Sequence, residues 1–269
     1  MLELFHAAPS YYSMVARLAL AEAQVGYTSR LLDIHLAKQQ LSSAYRRLNP
    51  HMTVPTLRGP DLLLIDSSQI LAFAAEQAGE LWADADPLRS GGIATVVRDH
   101  YAISIESLTF SKVLSGRPWL RPLIVRVLSG LVARLESEAR RLPDQAAVLL
   151  AKAQQNRERM VLFRDTAPAQ VLESERHEVS SFLAALPAVV AGGWLFGRRV
   201  SSADVVLAAL CSRLSMADEL SLLERPDLQG WWQRYQQRPA VAAADLWTRF
   251  QRRRFLQAVL EARHTPITV

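Results

Sequence analysis

The sequence predicts a small α/β domain followed by an all-helical one. Two observations carry this. Up to Gly79, short apolar runs of strand length alternate with segments whose apolar residues recur at helical spacing. Beyond Gly79 the strand-like runs stop, and helical spacing continues almost to the end of the chain.

Leu2 to His6 alternates as a strand does. Ala7 to Ser10, with a proline and a serine, is a turn able to cap a helix. Tyr11 to Gln24 carries Met14, Val15, Leu18 and Ala21 at helical spacing and stops before Gly26. Thr28 to Ile34 is a second strand. Lys38 to Leu48 is a second helix, closed by Asn49-Pro50. Val54 to Leu57 and Leu62 to Ile65 form a hairpin across Gly59-Pro60-Asp61, and Ser67 to Ala78 is a third helix. The order is βαβαββα, and its first three elements imply a parallel strand pair with a right-handed crossover.

Glu80 to Gly92 mixes Asp, Pro, Ser and Gly and reads as a linker, which gives domains 1–79 and 91–269. Leu123 to Leu142 and Gln145 to Arg164 are long helices separated by Pro143, an αα-hairpin in the making. Ala169 to Leu186 is a further helix. Ser201 with Asp204 three residues on is a capping-box arrangement at the start of an apolar helix through Leu210. Leu228 to Gln237 and Ala240 to Leu260 are the last helices, parted by Arg238-Pro239.

Of the 269 residues, 50% are apolar and 21% charged, a globular composition that excludes a disordered chain. A single cysteine, Cys211, excludes an intramolecular disulfide and any Cys-rich zinc site, and fits a reducing compartment. No apolar run reaches the roughly 18 residues of a membrane span, and no signal peptide is evident; a soluble cytoplasmic protein is the expectation. The net charge of +5 is modest and spread out, apart from Arg252-Arg253-Arg254. That run reads as a solvated helix face, so neither nucleic acid nor membrane is expected as a partner. The six histidines show no metal-ligand spacing, and no metal is expected.

Four segments together resemble the glutathione S-transferase superfamily. They are Ser10-Tyr11-Tyr12-Ser13-Met14-Val15-Ala16-Arg17-Leu18, Leu48-Asn49-Pro50-His51-Met52-Thr53-Val54-Pro55, Asp66-Ser67-Ser68-Gln69-Ile70, and Ser201-Ser202-Ala203-Asp204. They stand in the family's order and spacing, and the resemblance covers essentially the whole chain. It is to the serine-start types, and the long helical hairpin is most similar to the tetrachlorohydroquinone-dehalogenase and ganglioside-induced-differentiation branch. The fold it implies is a thioredoxin-like N-terminal domain with an all-α C-terminal domain. The implied co-substrate is glutathione, and the implied chemistry is attack of its thiolate on a small apolar electrophile, as in detoxification. The implied assembly is a homodimer.

The resemblance gives each site residue a role. Ser10 would donate a hydrogen bond to the glutathione sulfur; from its position alone it is equally a plain helix N-cap. Tyr11, Tyr12 and Ser13 are the other hydroxyls within reach, and Tyr11 and Tyr12 would line an electrophile pocket between the domains. Val54, before a cis Pro55, would pair its backbone with the cysteinyl part of glutathione as an added strand does. Asp66 would accept from the γ-glutamyl ammonium, and Ser67 would hold its carboxylate; both also read as helix capping. Gln40, with Lys38 nearby, would meet the glycyl carboxylate. Thr53 stands where many relatives have lysine, so one ionic contact is missing. Ser201 and Asp204 would support folding. In the dehalogenase type a cysteine follows the serine by two residues; here that position is Tyr12, and Cys211 reads as an inert core thiol. Two other readings stay open at this point: a non-catalytic glutathione-binding or regulatory module, and a glutathione-dependent reductive dehalogenase.

Overall fold

The structure is a computed structural model and describes residues 1–265 and 267. The chain divides into two compact units. One comprises Met1–Asn49, Thr53–Ile103 and Val179–Val269; the other comprises Pro50–Met52 and Ser104–Glu178.

The first unit opens with β1 (Glu3–His6), α1 (Tyr11–Glu22), β2 (Thr28–Leu31), α2 (Ser43–Leu48), β3 (Thr56–Arg58), β4 (Leu63–Leu64) and α3 (Ser67–Ala78). The strands lie in the order β2-β1-β3-β4. Strand β1 pairs parallel to β2, with Glu3 opposite Thr28, and antiparallel to β3, with Leu4 opposite Leu57. As the inner strand it buries Leu4, Phe5 and His6 in succession, whereas an edge strand would alternate. Helices α1 and α3 pack together, and Met14, Val15 and Leu18 of the first and Ile70 and Ala74 of the second are buried. The reading of Lys38 to Leu48 as one helix needs correcting. A 3₁₀ turn at Gln39–Leu41 precedes α2, because Ser42 takes extended backbone and caps the new helix on Tyr45 N.

The stretch read as a linker is helical from Pro87. Asp86 caps α4 (Pro87–Ala102), and the Gly91-Gly92 pair lies inside it. The glycine there serves packing: a Cβ on Gly92 would lie 2.8 Å from the Phe196 ring. The same unit holds α9 (Ser202–Met216), α10 (Pro226–Tyr235), α11 (Pro239–Ala243) and α12 (Arg252–Arg263). The span read as one helix over Ala240 to Leu260 is therefore two. It breaks where Asp245 takes φ 52° and Trp247 is pulled fully inside, its carbonyl accepting the Ser212 hydroxyl at 2.6 Å. Helix α9 is buried from Ser202 to Leu214. Its capping box centres on Asp204, which accepts from Ser201 N, Ser201 Oγ, Leu195 N and Trp231 Nε1.

The second unit holds α5 (Ile105–Gly116), α6 (Arg121–Arg141) and α7 (Ala146–Asp165), followed by the start of α8 (Pro168–Ala185). Helices α6 and α7 form the expected hairpin and pack against each other, with Val132 and Leu135 of the first and Leu149 and Ala153 of the second buried. Arg121 closes the open end by donating to the carbonyls of Phe163, Arg164 and Thr166, unsatisfied acceptors at the end of α7. Among the described residues, no helix is long and apolar enough to cross a membrane.

Candidate active site

The turn ahead of α1 is where the chemistry-bearing residues gather. Ser10 is the N-cap of α1, with extended backbone and a half-exposed side chain. Its Oγ accepts a long 3.4 Å bond from Ser13 N, and among the described residues no hydrogen bond uses its hydroxyl hydrogen. Ser13 is fully buried, and its Oγ accepts from Ala7 N at 3.2 Å, which ties the turn closed.

Two buried arginines hold this turn from outside. Arg17, one helical turn below Ser13, has no carboxylate against it among the described residues. Its guanidinium donates to the carbonyls of Ala7 and Ala8 and, across the unit, to those of Ala244 and Asp245. Burial pulls its pKa down to about 10. It also donates to His6 Nδ1, which places the His6 proton on Nε2, 2.8 Å from Ser29 Oγ. Burial, and then the Arg17 charge, push the His6 pKa well below its ordinary range, so the ring is neutral. Arg213 of α9 donates to Pro9 O at 2.8 Å and lies over the Tyr11 ring, 5.6 Å from its centroid.

The two tyrosines after Ser10 diverge. Tyr11 is buried, and its hydroxyl lies 2.5 Å from His100 Nε2 of α4. Burial lowers the His100 pKa to about 3 and raises that of Tyr11, so both are neutral. Among the described residues, His100 Nδ1 has no hydrogen-bond partner. Tyr12 is half-exposed and stacks on Tyr101, with centroids 6.1 Å apart and planes 11° from parallel.

The Val54-Pro55 bond is cis. Val54 is buried, and no hydrogen bond within the protein engages its backbone among the described residues. The loop ahead of it is pinned by two side chains. Tyr45 Oη donates to Thr53 O at 2.7 Å, and Asn49 Nδ2, fully buried, reaches Thr53 O, Thr56 Oγ1 and Ile65 O. Thr53 itself is half-buried.

Asp66 is the exposed N-cap of α3, and its Oδ1 accepts from Ser68 N, Gln69 N and Ser68 Oγ. Ser67 behind it is buried and accepts from Tyr101 Oη at 2.9 Å. Gln40 is half-buried, and its Oε1 is enclosed without a hydrogen-bond partner among the described residues. The loop carrying Lys38 and Gln40 is shaped by Asp33, whose carboxylate accepts from the N–H groups of His35, Leu36 and Ala37. Burial raises the Asp33 pKa, but these three bonds outweigh it and leave the group below its ordinary value.

Sequence reasoning singled out Ser10, Tyr11, Tyr12, Val54, Asp66, Ser67, Gln40 and Thr53. It missed the residues that fix them: Arg17, Asn49, Tyr45, His100, Tyr101 and Arg213. Arg17 did leave a signal, since it interrupts an otherwise apolar helix. His100-Tyr101 left none: the segment reads as helical, but nothing in its spacing ties either residue to Tyr11 or Ser67. Among the described residues, no group of three or more His, Cys, Asp or Glu side chains could hold a metal ion.

A cis proline beside an extended loop, a serine-capped first helix and a buried capping box in a helical region define a glutathione S-transferase architecture. Residues 4–82 match the glutathione S-transferase N-terminal domain, and residues 145–239 match the C-terminal domain. The chain belongs to the glutathione S-transferase superfamily. It is similar to a tetrachloro-p-hydroquinone reductive dehalogenase of Sphingobium chlorophenolicum, at 26% identity over 90% of this chain and 94% of that one. Among solved structures, it resembles the beta-etherase LigF of Sphingobium sp. strain SYK-6, with TM-score 0.63 and 18% identity over 90% of this chain and 98% of that one. It also resembles a theta-class glutathione S-transferase of Xanthomonas axonopodis pv. citri with glutathione bound, with TM-score 0.56 and 21% identity over 91% and 97% of the two chains.

Proposed function

We propose that the protein activates glutathione as its thiolate and directs it onto a small apolar electrophile, by conjugation or by displacing a leaving group. The observation that carries this reading is the Ser10 hydroxyl: half-exposed at the start of α1, accepting from Ser13 N, with its own hydrogen uncommitted. A free thiol has a pKa near ~8.5. Lowering it by two units requires about 2.7 kcal/mol of preference for the thiolate. A hydrogen bond to a charged acceptor supplies ~1.5–3 kcal/mol, and the N-terminus of α1 adds ~0.3–1 kcal/mol. Ser10 is thus sufficient as donor, and it is not itself the nucleophile.

In this reading glutathione lies along the thioredoxin-like part. Its cysteinyl backbone pairs with the unengaged backbone of Val54. Its γ-glutamyl end meets Asp66 and Ser67, and its glycyl carboxylate meets Gln40 and Lys38. Thr53 supplies its carbonyl to the loop scaffold and no charge to the ligand. Tyr12 borders the electrophile; Tyr11, with its hydroxyl against His100, supports the wall from behind. The protein works as a cytoplasmic homodimer.

Reductive dehalogenation, the activity named for the Sphingobium chlorophenolicum relative, fits less well. A mixed disulfide with the protein needs an accessible thiol. Tyr12 occupies the position two residues after Ser10, and Cys211 is fully buried, with burial pushing its thiol pKa up.

The test is calorimetric titration of glutathione onto the wild type and Ser10→Ala, with thiolate absorbance read alongside. The expected result is binding with a thiolate signal in the wild type and loss of that signal in Ser10→Ala. Absence of wild-type binding at several millimolar refutes the reading. Binding without a thiolate signal would instead indicate the binding module.

A further inference from the structure

We propose that Tyr101 is a positioning residue for glutathione, setting the Ser67 hydroxyl to donate to the γ-glutamyl carboxylate; this rests on the glutathione reading above. Ser67 is the first residue of α3 and is 3% exposed. Asp66 takes the N–H groups of Ser68 and Gln69, which leaves the N–H of Ser67 for a ligand at the helix start.

A serine hydroxyl has one hydrogen and two lone pairs, and alone it rotates to suit any neighbour. Here Tyr101 Oη donates to Ser67 Oγ at 2.9 Å. That contact occupies a lone pair and turns the Ser67 hydrogen away from Tyr101. The hydrogen is then available to a carboxylate arriving at the helix N-terminus. The result is a chain in which Tyr101 donates to Ser67 and Ser67 donates to the carboxylate, each bond polarising the next.

Tyr101 is well placed to hold this geometry. Its ring stacks on Tyr12 and meets the edge of His100, with centroids 5.0 Å apart and planes at 82°. Burial, and then the neighbouring Asp66 charge and Tyr12, raise its pKa against the opposing Ser67 bond, so the phenol stays a donor through neutral pH. Tyr101 reaches Ser67 with its hydroxyl while its ring lies on Tyr12. It thereby links the amino-acid end of glutathione to the electrophile side of the site.

The experiment uses Tyr101→Phe, which keeps the ring and removes the hydroxyl. Two ligands are titrated onto each protein: glutathione, and γ-aminobutyryl-cysteinyl-glycine, which lacks the γ-glutamyl carboxylate. For glutathione the variant is expected to raise Kd about three- to tenfold, the worth of one hydrogen bond. For the analogue, Kd is expected to be the same in both proteins. In a Ser67→Ala background, Tyr101→Phe should add nothing. KM for glutathione should rise with Kd, while kcat at saturation stays within about twofold. Equal weakening of both ligands would show a packing role and overturn the proposal, as would an unchanged Kd for glutathione. A wild type that binds glutathione while the variant matches it defeats this proposal alone. A wild type that binds no glutathione defeats the parent reading.

Discussion

Replacing Arg17 with methionine tests how the turn before Ser10 is held. Two terms oppose each other. The guanidinium is buried and, among the described residues, has no carboxylate against it; burial pulls its pKa down to about 10, well below the ordinary arginine range. That desolvation is worth about 3 kcal/mol, which methionine recovers. On the other side, the carbonyls of Ala8, Ala244 and Asp245 lose their charged donor inside the protein, and so does His6 Nδ1. The Ala7 carbonyl keeps Ser10 N. Each buried acceptor left unsatisfied costs ~1–3 kcal/mol, so four of them outweigh the recovered desolvation. The expected net loss is about 3 kcal/mol, read as a lower urea midpoint at unchanged slope. Because Ala8 and Pro9 lead directly into Ser10, glutathione affinity should fall in the same variant. A stability loss under about 1 kcal/mol would refute the argument, since it would mean the carbonyls find other donors.

Two further predictions concern stability. His6 and His100 are neutral in the fold because burial depresses both, His100 to about 3, whereas an unfolded histidine titrates near ~6.5. Below about pH 6.5 the unfolded chain therefore binds protons that the native one does not. Stability should be full above that pH and fall by about 1.4 kcal/mol per unit for each histidine below it. Urea midpoints from about pH 7 to about pH 5 test this, with His100→Phe removing one share; a flat profile contradicts it. Asp204→Ala strips the acceptor from four buried donors, including Trp231 Nε1 at 2.8 Å. It should cost about 3–5 kcal/mol, with Asp204→Asn costing less; thermal melts that moved by only a degree or two would count against the assigned role.

The parts of the fold legible in the sequence rest on local chemistry. Ser10 and Asp66 cap helices α1 and α3, Ser201 and Asp204 form their capping box, and βαβαββα follows from alternation and turn residues within a few positions. The start of α4, Pro87 to Gly92, escaped because its buried residues, Ile93, Val96 and His100, all lie further along, and because its Gly-Gly pair imitates a turn. The two-part end of the chain escaped because Trp247 is drawn inward by Ser212, a contact 35 residues away in sequence. The site divides in the same way. Ser10, Asp66 and Ser67 carry motif and cap signals together. Tyr101 meets Ser67 across 34 residues, and no periodicity encodes that meeting.

The separations of the arginine contacts also set an order of events during synthesis. Arg17 reaches Ala244 across 227 residues, and Arg213 reaches Pro9 across 204. The α6–α7 hairpin needs only neighbours in sequence and can form while the chain is still being made. The serine turn is different: it is made more than 200 residues ahead of Ala244 and Asp245, whose carbonyls complete its bracing through Arg17. A nascent chain that stops short of Ala244 therefore carries the Ser10 turn without that part of its frame.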